Sequence, residues 1–478
     1  WVAAMGLARG LQGQKVNIFM IEQDSQYYDE PAFINASSHI FDFHRTMGVN
    51  DKYLLSNGHA KLTCATRYKN WLSDSSNHYV GNNTFLPAFN GIALHHLTAF
   101  CQSAVKSDYS YAAQIAIQNK RIPELNYRKE TFGSFNSGMI LNTQEYKKFL
   151  RGAALHLGVK VLGSSLKAVE QDVNSGFIKT IVLDNSQRLP VDLVIDNSGA
   201  DSKIMKNLLN VNYHDSSGTP NFNTLLTIKR EGYKPTIDTS NVGAYTSITA
   251  NNHGWLEEVS ISGTNYFRQS CFSTANNIDT VKEAFLTKIS PNLSDKSHII
   301  EQCIRYGQSS QFFHRNCIVI GGAAGYYDSP SISNLILTQR AVTRLLSLFP
   351  SKACFNSTIN EYNRLTTKDY NEAGDFLMLH AYLASTNDDT TYPWVKTQRD
   401  LSDNLQQTIA LFECYGRFED QLNAMIISPT WINLLSMCCR KTANYEPLLT
   451  AFSVNDISKF LAKIKHIINE RVTSLPKI

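Results

Sequence analysis

The sequence predicts an α/β fold whose parallel sheet is assembled from three separated pieces of chain. Three segments carry that expectation. The first runs from Cys317 to Pro350. It opens with Cys317-Ile318-Val319-Ile320, an apolar, β-branched run too short for a helix, which reads as a buried strand. Gly321-Gly322-Ala323-Ala324-Gly325 follows, with almost no side chain. Leu335, Ile336, Ala341, Val342, Leu345 and Leu346 then recur at helical spacing until Pro350 stops the pattern. A strand, a bare turn and a helix start let backbone N–H groups approach a ligand closely. The second segment, Lys15 to Glu22, is a strand ending in an acid, preceded by a helical pattern from Trp1 to Leu11. An acid in that place accepts hydrogen bonds from ribose hydroxyls in dinucleotide folds. The third, Val191 to Ala200, is another strand running into small residues, Asn197-Ser198-Gly199.

The remaining elements fill the gaps in order. If Leu54 to Trp71 contains a strand, Lys61 and Thr63 share one of its faces. Thr143 to Leu157 reads as a helix, with Tyr146, Phe149, Leu150, Ala153 and Ala154 on one side. Gly158 to Leu162 is a strand, and Ala168 to Leu183 a hairpin turning at Asn174-Ser175-Gly176. Alternation over Thr224–Ile228 and Ala244–Ile248 predicts an antiparallel sheet. From Ser351 onward the pattern is helical, notably Leu405–Phe418 and Ile457–Ile468.

Composition narrows the function classes. The 478 residues are 43% hydrophobic and 18% charged, ordinary for a large globular enzyme. Net charge is +4 from 45 basic and 41 acidic residues, without a basic block, so nucleic acid is not an expected partner. The nine cysteines include no C-x-x-C pair; reduced thiols and a cytoplasmic setting are expected. On a strand His95 and His96 would face opposite ways, and no nearby cluster of acids or thiols completes a site, so no metal is expected. No apolar run approaches the ~20 residues of a membrane span.

Several stretches together resemble the flavin-dependent tryptophan halogenase family, relatives of the single-component flavin monooxygenases. GGAAGYYDSP (321–330) resembles the family's G-x-A-A-G-F-x-[DE]-P, and IDNSGA (195–200) its I-D-C-S-G. Asp375-Phe376-Leu377-Met378-Leu379-His380, then Asp388-Asp389-Thr390 and Trp394, resemble D-F-x-x-L-H-Y and D-T-x-F-W. Phe43-His44-Arg45-Thr46-Met47-Gly48 and Arg67-Tyr68-Lys69-Asn70-Trp71 also match family positions. The resemblance implies a glutathione-reductase-like FAD-binding domain, an antiparallel substrate-domain sheet and a C-terminal helical cap. It divides the chain into FAD-binding parts at 1–60, 139–205 and 311–350, a substrate and cover segment at 61–138, a substrate-domain sheet at 206–310 and a helical region at 351–478. In the family, a first strand and a G-x-G-x-x-G turn precede the position of Trp1, so the chain is expected to be a piece of a longer protein. FAD would be held by Trp1, Glu22, Arg45, Asn197, Gly199, Gly322, Ala323, Ala324, Gly325, Ser333 and Asn334, and reduced by a separate flavin reductase.

Where the family builds its halogenating site, this chain departs from it. The G-V-G-E-A-T loop becomes Pro31-Ala32-Phe33-Ile34-Asn35-Ala36. The catalytic lysine falls on Thr63, with Lys61 two residues earlier. W-x-W-x-I-P becomes Trp255-Leu256-Glu257-Glu258-Val259-Ser260, and a buried Glu257 would be a candidate general base. The acid beside the substrate nitrogen falls on Ser331, and the halide-holding Ser-Thr-Gly becomes Ile332-Ser333-Asn334. The expected function is therefore a flavin monooxygenase that passes oxygen from a flavin hydroperoxide to a small aromatic substrate. Lys61, Thr63, Glu257 and Ser331 are its candidate catalytic residues. The alternatives are a flavoprotein that matures a tryptophan-derived quinone in a partner amine oxidase precursor, a halogenase with a rearranged site, and a non-catalytic flavin-binding relative. A homodimer is compatible with the resemblance.

Overall fold

A computed structural model describes residues 1–22, 31–72, 77–82, 88–101, 106–123, 137–199, 202–216, 222–231, 243–274, 277–289, 299–330, 332–385, 392–395, 400–419, 424–438, 444 and 446–478. The architecture is the expected mixture of α and β. Phe19–Ile21 pairs in parallel with Lys160–Leu162, and Val194–Asp196 in parallel with Cys317–Val319. These two parallel pairs are not hydrogen-bonded to each other, and no described strand bridges them. Only Phe19–Ile21 of the expected Lys15–Glu22 strand has ladder partners, so Lys15 to Asn17 lie outside it.

The Val2–Gly10 helix lies on the Asn334–Ser347 helix. A Cβ added at Gly6 would come within 2.7 Å of Val342, and one at Gly10 within 2.5 Å of Leu346. Only glycine permits that approach. The matching order of the contacts means that the two helices run parallel, so both N-termini open at the same edge. The Thr143–His156 helix starts where expected, capped by Asn142, whose side chain accepts from the Glu145 N–H.

The second body is a seven-stranded sheet. Its order runs Ile300–Cys303, Thr224–Glu231, Thr264–Cys271, Gly254–Ile261, Tyr245–Asn251, Ala65–Lys69, His78–Gly81. It is not purely antiparallel, because Ala65–Lys69 joins Tyr245–Asn251 in parallel. A remote stretch of chain thereby extends the hairpins expected from alternation. The Asn356–Ser385 helix packs against the first body, burying Tyr362, Tyr370, Phe376, Leu377 and His380. Shorter C-terminal helices, Asp403–Tyr415 and Ser428–Cys438, lie beside it, and Val454–Thr473 packs near the Tyr111–Ile117 helix. Among the described residues, no helix is long and apolar enough to cross a membrane.

Motif residues from distant parts of the chain meet in one aromatic cluster. Trp71 lies 5.7 Å from Trp394 and 6.0 Å from Trp255, centroid to centroid, and Tyr68 Oη is 3.0 Å from His380 Nε2. Trp71 and Trp394 donate their indole N–H groups to the Ile248 and Asn251 carbonyls. These residues are core that joins the sheet to the long helix. Asp388 to Thr390 lie outside the described residues.

Candidate functional site

One edge of the first body has the character of a nucleotide site. Glu22 follows the Phe19–Ile21 strand, and its carboxylate accepts from Trp1 Nε1 at 3.1 Å and stands 3.5 Å from Arg151 Nε. Trp1 precedes the Val2–Gly10 helix without a side-chain cap. At the neighbouring pair, Asp196 is buried and accepts from the N–H groups of Ser198, Ile204 and Met205, each at 3.0 Å. It fixes the turn through Asn197, Ser198 and Gly199. Gly321 has φ +64°, and a Cβ there would sit 2.3 Å from Asn197 Oδ1, so the two bare turns are in direct contact. Ala323 and Ala324 are buried beneath them. Asn334 closes the second turn: its Nδ2 donates to the Gly325 carbonyl and its Oδ1 accepts from the Tyr327 N–H, both at 3.3 Å. Ser333 precedes the Asn334–Ser347 helix without capping it. Arg45 is exposed and paired with Asp42. Backbone donors at the start of the Asn334–Ser347 helix, one acid after a strand and two contacting glycine turns fit an extended dinucleotide.

Between the two bodies lies a small polar pocket of about 40 Å³. Asn35, Ser37, Ser38 and His39 line one side, Thr63, Thr66 and Thr246 another, with Ile332 and Met425 to Ile427 closing it. Thr63 is buried, and its hydroxyl stands 3.3 Å from both the Ala65 and the Ala244 carbonyl oxygens, so its one proton is committed to backbone. Lys61, on the same strand, is not part of the pocket wall; burial lowers its ammonium to about 8. Ser331 lies outside the described residues.

Glu257 is buried, but an arginine holds it. Arg268 stands directly opposite in the ladder. Its Nε donates to Glu257 Oε2 at 3.0 Å, and Nη2 donates to the same oxygen. Arg268 Nη1 is 3.5 Å from Asp328 Oδ2, and the guanidinium lies 4.5 Å from the Phe33 ring centroid. Burial pushes the Asp328 carboxyl up to about 6 against the pull of Arg268, with Glu257 adding to the rise. Asn35 bridges this network to the pocket, donating from Nδ2 to Thr246 Oγ1 at 3.1 Å and reaching Glu257 Oε1 at 3.5 Å. Asn35, His39, Arg268 and Asp328 were not among the sequence candidates. A hairpin loop at Ser262-Gly263, with φ of +48° and +77°, does carry the signal for one pair: counting outward from it sets Glu257 against Arg268.

A second cavity of about 860 Å³ lies on the outer side of the Asn356–Ser385 helix, with Tyr327, Phe418 and Trp431 as its aromatic surfaces. Ile426 lines both cavities. Glu372 fixes the partition, accepting from the Met425 and Ile426 N–H groups at 2.8 and 2.9 Å. The larger space falls in the range of small-molecule sites, whereas the smaller holds only a few waters. Ile426→Ala is therefore expected to join the two spaces and raise the affinity for an indole or phenol probe several-fold, measured by equilibrium binding.

Comparisons with known proteins agree with this geometry. A family model described as tryptophan halogenase matches residues 1–454. Tryptophan 6-halogenase SttH of Streptomyces toxytricini is 24% identical over 274 residues, which cover 55% of this chain and 49% of that protein, so the matched stretch spans about half of that relative. Tryptophan 6-halogenase ThaL of Streptomyces albogriseolus is 22% identical over 447 residues, covering 86% of this chain and 79% of its own. Among solved structures, BrvH, a flavin-dependent halogenase from Brevundimonas sp. BAL3, superposes with a TM-score of 0.88 at 21% identity, covering 100% of this chain and 95% of that one.

Proposed function

The chain belongs to the tryptophan halogenase family, and from that premise we propose a flavin-dependent oxidoreductase that oxygenates a small aromatic substrate without halogenating it. One observation carries this reading: among the described residues, the polar groups in the wall of the small pocket are hydroxyls, amides and the His39 imidazole, with no Lys, Arg, Asp or Glu. By the resemblance, Thr63 would stand where the family has the amine that directs an oxidised halogen, and its proton is bound to backbone. Ile332, which the resemblance aligns with the family's halide segment, borders the pocket.

The nucleotide edge fits FAD, which when bound and reduced supplies the activation of dioxygen. Glu22 would hold a ribose, with Trp1 beside it. Asn197, Gly199, the Gly322 to Gly325 turn, Ser333 and Asn334 would hold the ring system. A separate flavin reductase would supply the electrons, as it does for family members. The chain's own residues then do three things. Ile332 and Ile426 narrow the small pocket with apolar side chains. Phe418 and Trp431, ring centroids 5.8 Å apart, offer an aromatic surface in the larger cavity. Thr66, Thr246 and Asn35 line the small pocket with polar groups on the far side of the Ile426 partition. A cavity of small-molecule size favours a small substrate over a partner protein precursor.

The test supplies the FAD-loaded protein with a flavin reductase, bromide, and indole or phenol. Little or no brominated product is expected. Robust bromination abolished by changing Thr63 or Ser331 would overturn the reading.

A further inference from the structure

We propose that Tyr68 and His380 form a redox site that drains oxidising equivalents from the larger cavity, Tyr68 giving up an electron while its phenolic proton moves to His380 Nε2. The oxidant it takes is a one-electron radical oxidant, the hydroxyl radical above all. This goes beyond the oxygenation proposed above, because it concerns oxidant that is not spent on substrate. The pair is defined by its hydrogen bonds. His380 Nδ1 stands 2.8 Å from the Phe376 carbonyl oxygen, which can only accept, so Nδ1 carries the ring proton. Nε2 is then a lone-pair acceptor, and Tyr68 Oη donates to it at 3.0 Å. Both residues are buried, and their rings stack within 25° of parallel. A carbonyl would satisfy a buried phenol equally well. An imidazole does more, because it can take the proton as well as the hydrogen bond.

A row of rings connects this pair to the larger cavity. Trp431 forms part of the cavity wall, and its ring centroid is 5.0 Å from that of Phe376. Phe376 is 4.8 Å from His380. On the other side, Tyr68 lies 5.5 Å from Trp71, and Trp71 5.7 Å from Trp394. Indole and phenol are among the side chains that lose an electron most readily. Phe376 is not oxidised itself; it fills the gap between Trp431 and the pair with ring atoms through which an electron can tunnel. The motif residues that form the core thus also lead from the cavity to a phenol with its own proton acceptor.

The steps balance. Dioxygen chemistry that is not coupled to a substrate releases hydrogen peroxide, and traces of ferrous iron turn peroxide into hydroxyl radical. In the cavity this radical takes an electron from the Trp431 indole and becomes hydroxide, then water on protonation. The indole cation radical is refilled by an electron from Tyr68. As that electron leaves, the O–H bond of Tyr68 breaks and an N–H bond forms at His380 Nε2, leaving a neutral phenoxyl radical hydrogen-bonded to an imidazolium. Burial lowers the His380 imidazole to about 4, so the ring is neutral and its lone pair available at neutral pH. An oxidised phenol is a far stronger acid than this imidazolium, so the proton still moves. It stays within hydrogen-bond reach, and an electron from an ascorbate-type reductant restores the phenol.

The probe is the azide radical made by pulse radiolysis, a small one-electron oxidant that attacks indoles first. Indolyl and phenoxyl radicals absorb separately, so transfer between them is followed directly. In the wild type the indolyl signal is expected to convert to phenoxyl in a phase whose rate does not depend on protein concentration. Tyr68→Phe should lose most of that phase, and His380→Gln should slow it several-fold, because an amide accepts the hydrogen bond but not the proton. A wild type without such a phase overturns the proposal, whatever the variants do. An unchanged phase in Tyr68→Phe, which lacks one hydroxyl, or in His380→Gln overturns it as well. With peroxide and ferrous iron, oxidised Trp431 should accumulate several-fold faster in Tyr68→Phe than in the wild type, read by peptide mass spectrometry. Equal accumulation would overturn the draining role. Neither measurement uses turnover, so failure of this site and failure of the proposed oxygenation are told apart.

Discussion

Replacing Arg268 by Met is expected to destabilise the protein by about 3–5 kcal/mol. Arg268 is the cation between two buried carboxylates, Glu257 and Asp328. The side chains of Arg268 and Glu257 are each only 6% exposed. Methionine fills most of the volume over the Phe33 ring but leaves both acids without a counter-charge in a dry interior. Glu257→Gln should cost less, because Arg268 keeps Asp328 and the amide still accepts one hydrogen bond. Urea titrations at pH 7 should give that order, with lower midpoints and an unchanged slope. The defect of Arg268→Met should also shrink toward pH 5, as the unpaired acids take up protons. A loss under 1 kcal/mol, equal at both pH values, would show that the network is not desolvated.

Acidification from pH 6.5 to 4 should remove on the order of 3 kcal/mol through His380 alone. Burial lowers its imidazole to about 4, the bond to the Phe376 carbonyl opposing. Nδ1 donates to that carbonyl at 2.8 Å, and Nε2 meets Tyr68 Oη at 3.0 Å, so the neutral ring is satisfied and the cation is not. The folded pKa lies below the unfolded value near 6.5. The contribution is therefore complete above pH 6.5 and is lost as pH falls toward 4. His95 adds in the same direction, lowered to about 4 by burial and then by His96. Asp328 works the other way over the same range, since its folded value is raised. His380→Gln should flatten the acid limb of stability against pH, even though it lowers the midpoint at pH 7. An acid limb as steep in the variant as in the wild type would place the proton uptake elsewhere.

Much of the fold is legible in the sequence because it is local. The Cys317-Ile318-Val319 run, the bare turn after it and the helix from Asn334 follow from hydrophobic period and glycine alone. The hairpin with its turn at Asn174-Ser175-Gly176 does so too, with Asp172 accepting from the Asn174 and Ser175 N–H groups. The site is less legible because it is built from long-range contacts. His39 becomes a pocket residue only when Met425 to Ile427 fold across it, and no local period announces that. Lys61 and Thr63 share a strand, but only Thr63 lines the pocket. The motif residues Tyr68, Trp71, His380 and Trp394 are easy to find and form the core. The residues that set the pocket's charge, Arg268 and Asp328, owe their roles to register and burial.

The most direct test of the proposed oxygenation follows the oxygen atom itself. FAD-loaded protein is supplied with a flavin reductase, reduced nicotinamide, a phenol and ¹⁸O₂ in the presence of chloride, and the products are weighed by mass spectrometry. A product heavier by one ¹⁸O atom, with no chlorine isotope pattern and unaffected by removing chloride, is the predicted result. A chlorinated product carrying no ¹⁸O would contradict it.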